Sequence, residues 1–187
     1  EKYLNGNKTI IIGGPPCPPF SKSRFYIKDK KRAMEDIDGK ETIENYFRAV
    51  REIKPKIFFF ENVHGFVYKP HQQSLDYLIK TSEELGYQLT YDVINCADYG
   101  VPQTRERFIC VGVKKSFEKF IFPIPTHDKN PNSKKEMWVT AGDVISDIDF
   151  DLEEDSKMEA GSKHKDLLKK VPPGDNYLFF TKERKHP

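Results

Sequence analysis

The sequence predicts an α/β fold built on a mostly parallel sheet with one antiparallel strand. Three observations carry that expectation. Short apolar runs alternate with longer stretches in which apolar residues recur every three or four positions. The runs at Thr9–Ile12 and Ile57–Phe60 are continuous, as in strands covered on both faces. The order strand, helix, strand, helix, strand, strand demands crossovers early in the chain and lets the last pair fold back directly.

Residues 9–12 form the first predicted strand, and Gly13-Gly14-Pro15-Pro16 reads as a stiff turn delivering Cys17. Residues 18–40 then read as a long polar, basic loop carrying Phe20 and Phe25-Tyr26. A loop of that length is functional or an insertion. Ile43, Tyr46, Phe47, Val50 and Ile53 make one helical stripe, which Pro55 ends. The second strand, Ile57–Phe60, leads into Glu61-Asn62-Val63. Leu75, Leu78, Ile79 and Leu85 make a second stripe, with Gly86 at its stop. Tyr87, Leu89, Tyr91 and Val93 alternate as a strand does, Asp98–Pro102 reads as a loop, and Phe108–Val113 as a further strand.

Beyond Lys114 the texture changes. Phe122–Lys135 is rich in Pro, Asn and Lys, and Trp138–Ile148 predicts a short helix with Val144, Ile145 and Ile148 on one face. Residues 149–166 are charged and poor in apolar groups, which predicts a surface excursion or disorder. The domain expectation is therefore a compact part at 1–148, followed at 149–187 by a charged linker and the start of another region.

The 187 residues suit one domain with a real core; 37% are hydrophobic and 32% charged, as in a water-soluble globular chain. No apolar run reaches the ~20 residues of a membrane span. Cys17, Cys96 and Cys110 are few, odd in number and far apart, which predicts neither a disulfide framework nor a metal cluster and points to a reducing cytoplasm. The net charge of +2 excludes a strongly basic protein, although Lys22–Arg32 is basic and Asp143–Asp155 acidic. The chain opens Glu-Lys rather than Met, which predicts a piece of something longer.

Three segments sit at or just beyond apolar strands: Pro16-Cys17, Glu61-Asn62-Val63 and Gln103-Thr104-Arg105-Glu106-Arg107. A parallel sheet brings the first two to one edge, where open α/β sheets bind ligands. The loop after the third strand lets the arginines reach the same edge. Each has a bland reading: an inert thiol in a turn, a carboxylate in a surface ion pair, a solvated charge run.

In this order the segments resemble the cytosine-5 DNA methyltransferase family. Gly13-Gly14-Pro15-Pro16-Cys17-Pro18-Pro19-Phe20-Ser21 is similar to its nucleophile motif, Glu61-Asn62-Val63 to its acid motif, and Gln103–Arg107 to its paired-arginine motif. Phe122–His127 and Val171–Tyr177 are similar to further family segments, the latter near the entry to the target-recognition region. The resemblance spans residues 9–177 and implies a partial Rossmann-like sheet of the S-adenosylmethionine-dependent methyltransferases.

It also implies a chemistry that these residue types explain. Cytosine C5 is too poor a nucleophile to take a methyl group unaided, and a thiolate added at C6 makes the ring enamine-like. Cys17 is implied to make that attack; a free thiol titrates near ~8.5, so neighbouring cations would help it ionise. Glu61 is implied to neutralise the ring at N3 and the N4 amino group, a task suited to a buried carboxyl held partly protonated. Arg107 is implied to hold the cytosine O2 and Arg105 to orient the site. Pro16, Asn62 and Gln103 are implied to support these residues, with Pro16 also contacting S-adenosylmethionine. The target base lies inside duplex DNA and must be flipped out. Ser21, Lys22, Ser23 and Arg24, with the Lys28–Arg32 run, offer hydroxyls and cations to the phosphates.

The family's glycine-rich cofactor loop belongs before the nucleophile, and its target-recognition domain and closing motifs after the arginines. Most of the methyl-donor pocket is therefore expected outside these residues, in missing N-terminal and C-terminal parts of the same enzyme, and little or no activity from this piece alone. The expectation is the catalytic part of a bacterial restriction–modification methyltransferase. Two alternatives stay open: the tRNA-methylating branch of the family, and a non-catalytic nucleic-acid-binding piece that needs a partner chain.

Overall fold

A computed structural model describes residues 9–20, 33–147, 165–168, 170–172 and 177–180. The chain divides into two compact units, Glu1–Val144 and Ile145–Pro187. In the first unit, four strands form a sheet in the order β1-β2-β4-β3. They are β1 (Ile10–Gly13), β2 (Ile57–Val63), β3 (Tyr87–Asn95) and β4 (Glu106–Lys114). β1 runs parallel to β2, and β4 lies antiparallel between β2 and β3. Three strands thus share one direction and β4 alone is reversed, as the sequence predicts.

The crossover from β1 to β2 contains α1 (Ile37–Ile53). Asp36 caps it, its carboxylate accepting from the backbone N–H of Asp38 at 3.0 Å and of Gly39 at 3.4 Å. The helix therefore starts inside the stretch read as loop, because the cap and not the apolar stripe sets its first turn. At the other end Lys54 adopts the left-handed conformation, φ 51° and ψ 52°, and Pro55 cannot extend the helix. Ile43, Phe47 and Val50 are buried as the stripe predicts.

α2 (Gln72–Glu84) follows β2, and Gly86 turns the chain at φ +82° into β3. Its fully covered face carries Ser74, Leu78, Thr81 and Ser82, while Leu75, Ile79 and Leu85 are only partly buried. The buried stripe is thus rotated from the predicted one; Ser82 tolerates burial because its hydroxyl donates to the Leu78 carbonyl at 2.7 Å.

The core is aromatic. Phe58 and Phe60 on β2 meet Phe47 of α1, Tyr87 of β3 and Phe108 of β4, mostly edge to face. Phe66 stacks on Phe108 with centroids 4.9 Å apart. Each such fully buried ring contributes about 1.5–3 kcal/mol by leaving water. Neither apolar run is covered on both faces, contrary to expectation: on β1 Ile10 and Ile12 are exposed, and on β2 Phe58, Phe60 and Asn62 are buried and the alternate residues half-buried. Both helices contribute to the core on the phenylalanine side. The residues after β4 return past β3, where Gln88 and Thr90 donate to the carbonyls of Phe117 and Phe120.

Beyond these lie a two-strand pairing, β5 (His127–Asp128) with β6 (Glu136–Met137), and the short α3 (Ala141–Ile145). The predicted apolar face of α3 is not buried: Val144 and Ile145 are exposed, and Ile148 lies outside the described residues. In the second unit, one helical turn, Lys165–Leu168, falls at the end of the stretch read as an excursion, most of which is outside the described residues. A single 3-10 turn, Tyr177–Phe180, follows. No described helix is long and apolar enough to cross a membrane.

Candidate active site

At the ends of β1 and β2 the nucleophile-type and acid-type segments meet. Asn62 is 1% exposed and acts as the joint between them. Its side-chain amide donates to the Pro15 carbonyl at 3.1 Å, and its oxygen accepts from the backbone N–H of Val63 at 3.0 Å. Next to it the Glu61 carboxylate lies against Gly14, where an added Cβ would stand 3.0 Å from Oε2. The backbone of the cysteine turn is therefore laid directly on the acid segment. Cys17 is half-buried and free, and its carbonyl accepts from Phe20 N–H at 2.9 Å, closing a 3-10 turn over Pro18–Phe20. Phe20 plugs that turn into the core.

The reversed β4 brings in the arginines. Val63 stands opposite Arg107 in the ladder, so Arg107 reaches Glu61 diagonally and pairs with it, Nε to Oε1, at 2.9 Å. Their side chains are 22% and 36% exposed, so Glu61 is not the buried carboxyl that was expected: the guanidinium holds it at the rim. Arg107 also donates from Nη1 to the Glu106 carbonyl at 2.8 Å. Arg105 is fixed by its backbone, its N–H donating to Asn95 Oδ1 and its carbonyl accepting from Cys96 N–H, both at 3.0 Å.

Gln103, Arg105 and Arg107 line an open cleft of about 340 Å³ together with Phe20, Val63 and His64. Neither Cys17 nor Glu61 is among the residues lining that cleft; the cysteine turn meets the acid segment through Gly14 and Pro15. Pro16 is exposed beside it. Ser21, Lys22, Ser23, Arg24 and the Lys28–Arg32 run lie outside the described residues. The sequence reading missed His64, whose Nδ1 lies 2.8 Å from Glu106 Oε2. The signal for it was present: once β4 is antiparallel and Val63 faces Arg107, the next rung sets residue 64 against residue 106.

The other thiols are of different character. Cys110 is buried in the core, and burial pushes its thiol up to about 12. Cys96 is half-buried at the turn that follows β3. Among the described residues, no group of three or more His, Cys, Asp or Glu could hold a metal ion.

The family model described as C-5 cytosine-specific DNA methylase matches residues 1–179. The Type II methyltransferase M.SacI of Streptomyces achromogenes is 37% identical over 182 residues, covering 94% of this chain and 45% of its own. The Type II methyltransferase M.NgoFVII of Neisseria gonorrhoeae is 33% identical over 180 residues, covering 95% of this chain and 46% of its own. The chain thus spans about half the length of the curated relatives it matches. A solved E. coli prophage protein described as a DNA modification methyltransferase superposes with a TM-score of 0.53 at 25% identity, over 75% of this chain and 35% of that one.

Proposed function

The chain belongs to the C-5 cytosine-specific DNA methylase family, and from that premise we propose that it carries the catalytic residues of a restriction–modification DNA methyltransferase. The substrate in this reading is a cytosine flipped out of duplex DNA. Residues 1–148 supply the catalytic part, and 149–187 a charged linker and the start of the target-recognition region. The observation that carries the reading is the Glu61–Arg107 pair at 2.9 Å, beside the turn that presents Cys17. A carboxyl, a guanidinium and a thiol on one sheet edge are the groups this reaction needs.

Cys17 adds to C6 as the sulfur–carbon bond forms and the C5=C6 pair is released toward C5. Glu61 in its acid form gives N3 the proton that neutralises the developing charge, and Arg107, already oriented by Glu61, presents its remaining N–H groups to O2. Once C5 carries the methyl group, loss of the C5 proton to a base or water restores the C5=C6 bond and expels the Cys17 thiolate. Arg105 and Gln103 hold the cleft's far wall. The exposed Pro16, at the end of a parallel strand pair, would contact S-adenosylmethionine, which supplies an electrophilic methyl group when bound. The missing parts of the donor pocket and of the target-recognition region would come from the rest of the enzyme, so these residues alone have little or no activity. The setting is the cytoplasm.

Incubating the complete enzyme and methyl donor with DNA containing 5-fluorocytosine tests this. A covalent protein–DNA adduct on Cys17 is expected. An adduct that still forms with Cys17→Ser refutes the assignment. The same assay on tRNA, with no adduct on DNA, would move the substrate to the RNA branch.

A further inference from the structure

We infer that His64 is a positioning residue for the arginine pair, acting through Glu106 to hold Arg107 on Glu61. The inference rests on the proposed function for its meaning in catalysis, and on geometry for its mechanism.

The β2–β4 ladder ends at the pair Val63–Arg107. Past that rung, on the β3 side, the ladder continues to Asn95–Glu106, and Arg105 is tied to Asn95 and Cys96. On the β2 side the chain leaves as a 3-10 turn, His64–Val67. The next link there is between side chains: His64 Nδ1 and Glu106 Oε2, 2.8 Å apart. The imidazole is itself steadied by the Tyr68 ring, edge on at 5.0 Å between centroids. His64 thus supplies the rung that the backbone does not.

Glu106 matters because its carbonyl is one of the two acceptors gripping Arg107. Nη1 donates to that carbonyl at 2.8 Å and Nε pairs with Glu61 at 2.9 Å. A guanidinium held on two sides has a fixed plane, which bidentate recognition requires. Without the His64 link, residue 106 is held from the β3 side only, and its carbonyl can swing. An exposed His–Glu pair contributes little to global stability. Its effect is local, on the orientation of a group that lines the cleft.

The test compares His64→Ala with His64→Asn, whose amide can donate where the imidazole Nδ1–H does, in the intact enzyme. In His64→Ala, kcat/KM for methyl transfer falls about tenfold or more, the scale on which displacing a catalytic group by a fraction of an ångström acts. Its melting temperature stays near the parent's, and His64→Asn recovers most of the loss. The second readout is NMR of 15N-arginine-labelled protein, with the Arg107 Nε–H signal assigned by its loss in Arg107→Lys. That signal shifts and exchanges faster in His64→Ala and returns in His64→Asn. An unchanged Arg107 signal in His64→Ala overturns the inference, as does parental activity in His64→Ala or no recovery in His64→Asn. If the parent transfers no methyl to cytosine, the proposed function fails, and the NMR arm still decides this inference.

Discussion

Asn62→Ala should loosen the cysteine turn from the sheet. The side chain is 1% exposed and makes two hydrogen bonds, to the Pro15 carbonyl at 3.1 Å and from Val63 N–H at 3.0 Å. A net contribution of about 1 kcal/mol for each bond gives a loss of about 2 kcal/mol. In a unit of this size each kcal/mol shifts the melting temperature by about 2–4 °C, so a fall of about 4–8 °C is expected by scanning calorimetry. Asn62→Asp separates bond loss from volume. The aspartate has nearly the same shape, but its oxygens cannot donate to a carbonyl, and a charge in a covered site costs more than a missing amide. The order of stability should be Asn, then Ala, then Asp. In both variants the alkylation of Cys17, followed by peptide mass spectrometry, should quicken. Melting temperatures within 1–2 °C of the parent in both, with Cys17 labelled at the parental rate, would refute the tie between the two segments.

Three further outcomes follow from the fold. Lys54→Gly should stabilise the protein by about 1 kcal/mol in urea unfolding, since a lysine at φ 51° bears a steric cost that glycine lacks. Gly112→Ala should destabilise by about 1–3 kcal/mol or more in the same assay, because the new methyl would clash with the buried ring of Phe58. Cys110, with a thiol raised from 9.0 to about 12 by burial, should resist iodoacetamide at pH 8 in the native protein and react in urea, whereas Cys17 and Cys96 react in both. The same shift has a sign for stability. Between pH 9 and 12 the unfolded chain releases the Cys110 proton and the folded chain keeps it, so this contribution to stability falls as pH rises through that window.

Much of the architecture could be read from the chain because apolar spacing is a local property. The stripe Ile43–Val50 and the run Ile57–Phe60 announce their elements without reference to anything distant. The face of α2 could not be read, since Ser74, Thr81 and Ser82 are polar by type and buried by position. The placement of β4 between β2 and β3 depends on long-range pairing. So does every detail built on it: the Glu61–Arg107 pair, the partial exposure of Glu61 and the His64–Glu106 link. Motif spacing could nominate Cys17, Glu61, Asn62, Arg105 and Arg107, but only register says which of them touch.

That register also acts as a safeguard. Successive residues on a strand point to opposite sides, so sliding β4 by a single position against β2 would send the Arg107 side chain through to the other side of the sheet. A phenylalanine or a glutamate would then stand where Arg107 meets Glu61. A polypeptide that has collapsed but mispaired its strands would carry every motif intact and still be unable to bring Arg107 onto Glu61.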